Sequence, residues 1–349
     1  MVVSACAPNP CALDSPRTDS GKNSTIWCAH KLPAPQWCRD AQQHHVHTPR
    51  SGTPIALNAA PSLFSESFEP IPMVWHARLH LDYTQPRAGA TGMHFTHDGP
   101  LRVLRSLYPE GPGICHNVLV HPPGGLVGGD VLDVKVRVNE GAHALITTPG
   151  ATRFYRSNGA PALQRTQIAL APGARMEWLP LETIAYPACD AANELHLDLA
   201  PDSQLLAWDI TALGLPNADS PYDRGRFVQH IHWPGRFLEH GVIDAQDHRL
   251  MNSPLGLAGA RCLGSLILAS GTPLPRALRE QLLESTQERL ASAPETVFAG
   301  VTSPNPHMLV LRGLAPVVEP LMQLWQAIWA AWRQQWWGIA ATPPRIWAT

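Results

Sequence analysis

From Val74 onward the chain alternates. Trp75, Ala77, Leu79, Leu81 and Tyr83 take turns with His76, Arg78, His80 and Asp82. Leu132, Val134, Val136 and Val138 do the same with Asp133, Lys135 and Arg137. A period of two puts each apolar set on one face of a half-buried strand. Short patterned runs predict further strands near 143–147, 164–170, 194–199, 205–211, 226–233 and 237–243. Between them one turn chemistry recurs: Glu140-Gly141, Pro172-Gly173, Pro201-Asp202 and Pro234-Gly235, at spacings of 32, 29 and 33 residues. The flanking text repeats as well, as VRVNEGAHALI, IALAPGARMEW and LDLAPDSQLLAW. A strand–turn–strand unit at a fixed period predicts stacked β layers; irregular hairpins in a sandwich are the alternative. The expected fold is mainly β, a β-helical stack with a small C-terminal helical part.

The last quarter changes period. Leu274 to Ala291 predicts an amphipathic helix, and Leu321, Trp325, Ile328, Trp329, Trp332 and Trp336 fall on one stripe of a second. Such a tryptophan stripe is ordinarily core packing; the other use is a partner-docking face. Residues 1–72 differ again, with 10 prolines, four of the seven cysteines and no sustained periodicity. That composition predicts a disordered extension, and Met73, just before the first patterned strand, is an alternative start. The expected organisation is therefore 1–72 as extension and 73–349 as one domain. Within it, 73–270 is layered β and 271–349 is strands plus amphipathic helices.

Composition then removes several function classes. A net charge of −2 leaves no footprint for nucleic acid or an anionic membrane surface. Lysine occurs only at Lys22, Lys31 and Lys135, which disfavours Schiff-base chemistry, and no GxxxxGK[ST] phosphate loop is present. The cysteine count is odd and no CxxC pair exists, so neither a disulfide framework nor a zinc knuckle is expected. There is no apolar run long enough to span a bilayer and no signal-peptide pattern. The expectation is a soluble cytoplasmic protein.

Candidate chemistry sits in three segments. Cys115-His116 through Asp130 holds two glycine pairs, Gly124-Gly125 and Gly128-Gly129, and several ligands for a borderline metal, among them His121. Thr147 to Ser157 carries Arg153 and Arg156. Glu177 and Glu182 flank Trp178-Leu179-Pro180, a carboxylate pair suited to acid–base work or metal ligation, with two solvated carboxylates as the default. The chain lacks GxSxG, HExxH and GxGxxG.

These segments, in this order, resemble the urease accessory protein UreD (UreH) family. The resemblance runs from about Trp75 to Thr349. It is carried by WHARLHLDY, HDGPLRVLRSLYPEG, HPPGGLVGGD, GAHALITTPGATRFYRS, EWLPLETI and the terminal PRIWAT. It departs at Leu104 and Leu181, where the family favours glutamine. It departs again at Ala185-Tyr186-Pro187, in place of an aromatic followed by aspartate, and at Leu213-Gly214-Leu215-Pro216, which lacks an arginine.

The resemblance implies a β-helical stack with a small helical part. It also implies a non-enzymatic scaffold that binds apo-urease with UreF and the GTPase UreG and assists nickel insertion. Nickel would pass transiently, with no cofactor held permanently. If the chain offers an internal route for the ion, His116, His121, Asp130, Glu177 and Glu182 are its candidate contacts. The competing class is a metal-dependent hydrolase built on Cys115, His116, His121 and Glu182.

Overall fold

The structure, a computed structural model, describes residues 75–348. The expectation for residues 1–72 lies outside this range. Successive coils lay equivalent strands side by side in two sheets. The first sheet runs in parallel through β1 (His76–Arg87), β5 (Val131–Val138), β8 (Ala162–Leu170), β11 (Asp190–Leu199) and β14 (Arg226–Trp233). The second runs in parallel through β4 (Ile114–Val120), β6 (His143–Thr147), β9 (Arg175–Leu179) and β12 (Gln204–Leu215). Parallel neighbours need a long crossover, and here each crossover is the strand of the opposite sheet. The result is the expected β-solenoid, of about four turns.

Local chemistry explains how the coil closes. At each turn an amide reaches back three residues, as from Ala142 to Asn139, Ala174 to Ala171 and Ser203 to Ala200. Gly141, Gly173 and Asp202 take φ of +71°, +69° and +62° at the third turn position. With proline before two of them, this is type II turn chemistry. The fourth repeat, at Pro234-Gly235, has the same bond from Arg236 to Trp233, yet it reverses the chain into antiparallel β15 (Phe237–Asp244). Three of the four repeated turns therefore build coils, and the last builds a hairpin.

Antiparallel strands finish both sheets. β2 (Ala90–Asp98) pairs with β1 at one edge of the first, opposite β15 at the other. β16 (Cys262–Ser270), β18 (Met308–Ala315) and β17 (Phe298–Asn305) extend the second beyond β12, and β3 (Arg102–Val103) pairs with β4. Short β7 (Thr152–Phe154), β10 (Thr183–Ala185) and β13 (Ser220–Pro221) pair along the arches. Terminal units that differ from the internal ones are what a solenoid needs to stop.

One core lies between the sheets. The alternation of β1 and β5 delivers Ala77, Leu79, Leu81 and Tyr83, and Leu132, Val134, Val136 and Val138, into it. Trp75 breaks the pattern and is exposed. The interior also holds a polar ladder in register across three coils, with Gln164 Nε2 donating to Asn193 Oδ1 at 3.2 Å and Asn193 Nδ2 to Gln229 Oε1 at 3.4 Å.

The second core lies between the other sheet and the helices. α1 (His248–Asn252) is a single turn before β16, and α2 (Arg276–Ala291) follows Pro275. α2 was expected to be amphipathic from Leu274, but it buries only Leu282 and Thr286 fully. α3 (Val318–Trp337) carries the expected stripe, with Leu321, Trp325, Ile328, Trp329 and Trp332 buried and Trp336 half-buried. It seats on facing Gly264 and Gly313 of β16 and β18; a Cβ on Gly313 would stand 2.6 Å from Leu321 Cδ1. The stripe is core.

Candidate functional site

β4 is buried on both faces, so alternation sends its residues into different cores. Cys115 and Leu119 join the interior between the sheets, where Tyr83 donates to Asn117 Oδ1 at 2.9 Å. His116 points the other way, toward α3. There its Nε2 lies 2.8 Å from Glu110 Oε1, and Glu110 Oε2 accepts from Arg333 Nη2 at 2.5 Å. Burial opposes ionisation of Glu110, but hydrogen bonds from His116 and Arg333 outweigh it and hold the carboxyl below its usual range.

The same guanidinium meets a second carboxylate. Glu177 of β9 is fully buried; its Oε1 lies 2.8 Å from His143 Nε2, and its Oε2 accepts from Trp329 Nε1 at 2.7 Å. Arg333 Nη1 stands 3.8 Å from that Oε2, with the Trp329 ring 5.6 Å from the guanidinium carbon. Register sets this up: His116 pairs with Leu145 and Leu145 with Glu177, one row across β4, β6 and β9 under the last two turns of α3. Two carboxylates, two imidazoles and one arginine thus form a buried network. Chemically it clamps α3 to the solenoid, because a buried charge is tolerated only when paired.

The other expected contacts lie apart from it. Asp130 is buried before β5 and accepts from the backbone amides of Trp75 at 3.2 Å and Val127 at 2.9 Å. His121, at the end of β4, lines a cavity of about 230 Å³ between the sheets, with Leu119, Leu126, Arg153, Trp178 and Pro180. Burial pushes its imidazole below the usual range, and the Asp130 charge offsets part of that. Glu182 lines a separate groove beside Cys262, Glu319 and Trp347. The structure brings His116 and Glu177 into one network, sets His121 in the field of Asp130, and leaves Glu182 elsewhere.

The glycine pairs divide the work of the loop that carries His121. Gly124 and Gly129 take φ of +80° and +92°. Gly125 and Gly128 do not; there a Cβ would stand 2.3 Å from Tyr155 Cε2 and 2.7 Å from the Ala160 carbonyl, respectively.

The hydrolase constellation does not form. Cys115 and His116 face opposite cores, burial pushes the Cys115 thiol up, and Glu182 lies on its own groove. Neighbours in sequence on a strand point apart, which is the physical reason. The sequence reading also passed over Glu110, His143 and Arg333: Glu110 lies six residues from His116, but Arg333 is 223 from Glu110 and His143 is 34 from Glu177. It missed three clustered histidines as well: His196, and the His230-Ile231-His232 triplet. The signal for these was present, since both fall in period-two strands of neighbouring repeats.

A family model described as UreD urease accessory protein matches residues 76–348. The chain is 57% identical over 277 residues to the urease accessory protein UreD of Variovorax paradoxus (strain S110), covering 79% of this chain and 100% of that protein. It is 58% identical over 278 residues to the UreD of Paracidovorax citrulli (strain AAC00-1), with the same two coverages. It is 59% identical over 276 residues to that of Albidiferax ferrireducens, again covering the whole of the relative.

Proposed function

Because the chain belongs to the UreD family of urease accessory proteins, we propose that it acts in the cytoplasm with UreF and UreG on apo-urease, assisting nickel insertion. Membership places it among chaperone-type, non-enzymatic proteins. The observation that carries the proposal is the extent of the likeness: well over half the residues are identical across the full length of several relatives so named. No helix among the described residues is long and apolar enough to cross a membrane.

In this reading nickel is cargo. His121 is its accessible contact: it lines a cavity, and its lowered pKa leaves the imidazole neutral, the form that ligates metal. Asp130 supplies the nearby negative charge. His116 and Glu177 become contacts only when their pairings with Glu110 and His143 open, and Glu182 meets the ion from its own groove. The test is affinity capture of tagged urease from cells expressing UreF and UreG, comparing this chain with its His121→Ala variant. The reading expects both chains in the captured complex, with less nickel delivered by the variant. Absence of the parent chain from that complex would overturn it.

A further inference from the structure

The outward face of the first sheet carries a cluster that the role above does not use. β11 and β14 are parallel neighbours in which Glu194 pairs with His230 and His196 with His232. Alternation turns all four side chains to the solvent side, half-buried, and β15 adds His240 opposite His230. One ligand nitrogen from each of His196, His230 and His232 lies within 4.8 Å of the other two. We propose that His196, His230 and His232 form a binding site for a borderline divalent transition metal.

The geometry is that of three imidazoles from an i, i+2 pair and a cross-strand neighbour. Two imidazoles on one ion at about 2.0–2.1 Å each hold their nitrogens no more than roughly 4.2 Å apart. Small side-chain rotations therefore close the site. Three nitrogens and no thiolate suit zinc, nickel or cobalt rather than magnesium or calcium.

Outer partners of the kind that orient metal-binding histidines are in place for His196 and His230. Glu194 Oε2 lies 3.2 Å from His196 Nε2 and accepts from Arg165 Nε at 2.8 Å. With Nε2 directed at Glu194, Nδ1 is the ring nitrogen of His196 left to meet a metal. His230 Nδ1 lies 3.2 Å from His240 Nδ1, so one ring orients the other.

The test titrates Co2+, Ni2+ and Zn2+ into the full chain, with His44, His45 and His47 replaced by alanine throughout so that they do not compete. We expect one Co2+ per chain, with the visible bands of a four- or five-coordinate site, and a rise in melting temperature on metal addition. His196→Ala, His230→Ala and His232→Ala should each weaken binding tenfold or more, and Glu194→Gln by about tenfold. His80→Ala, on the same face, should leave binding unchanged. Should an alanine variant lose stability, His232→Gln serves instead, with loss of the metal-induced melting shift as readout. Undiminished binding in the His196/His230/His232 triple variant would overturn the proposal, as would an unmetallated parent. Urease activation is not a readout, so this site and the maturation role stand or fall separately.

Discussion

Arg333 is the residue on which the second core depends. It is fully buried, always charged, and within ion-pair distance of both Glu110 and Glu177. Removing one member of a buried ion pair strands the other, so Arg333→Met is expected to destabilise the fold by about 3–5 kcal/mol, read by urea unfolding. A milder lesion, Trp329→Phe, removes one hydrogen bond to the Glu177 charge and should cost about 1.5–3 kcal/mol. Gly124 and Gly125 separate two mechanisms one residue apart. Gly124→Ala should cost about 1–2 kcal/mol from its positive φ, and Gly125→Ala about 1–3 kcal/mol from collision with Tyr155. Adding Tyr155→Ala should relieve only part of the second penalty, because the Cβ would still stand 2.9 Å from the Arg153 carbonyl, and none of the first, which a double-mutant cycle measures. His116 and Glu177 were legible as chemistry-bearing residues because their segments are distinctive. Their role was not, because Arg333 and Trp329 lie 223 and 152 residues away from the groups they bind.

Elements record the sequence more openly. Each solenoid arch is closed by a turn whose glycine or Asp202 and preceding residue specify it locally, so the repeat was readable in one dimension. The same local chemistry also makes a hairpin, and nothing within Pro234-Gly235 tells the two apart; what differs is whether the next strand finds a parallel neighbour. Inside the stack, β12 contributes Asp209, whose Oδ2 accepts from Asn193 Nδ2 at 2.7 Å and Oδ1 from Thr211 at 3.2 Å. Burial pushes this carboxyl up to about 6, with hydrogen bonds from Gln229 and Thr211 offsetting only part. A raised folded pKa means the native state holds the proton more tightly. Stability from this group is therefore full below pH 3.8 and lost as pH rises through about 6. That gap corresponds to roughly 3 kcal/mol. Asp209→Asn cannot ionise, so its stability relative to the parent should climb between pH 4 and 7 and level off above. A difference independent of pH would show that Asp209 titrates normally.

At the largest scale, the described residues 75–348 set a β-solenoid against a tryptophan-rich helix, with two differently furnished faces. One carries α2 and α3, held by the buried ion network; the other is an open sheet bearing histidines. The stacked architecture was legible because it repeats, whereas the placement of α3 was not, since helix docking is decided by shape across the whole sheet. Relatives matched over their full length by 79% of this chain have no counterpart to its remaining residues. A variant chain beginning at Met73 should therefore activate urease as well as the full chain, measured as ureolytic activity per cell. Maturation itself is tested most directly by the nickel content of urease purified from cells expressing its subunits with UreF and UreG, with and without this chain. The account predicts nickel-loaded, active urease when the chain is present and largely metal-free enzyme when it is absent; equal nickel content in the two preparations would contradict it.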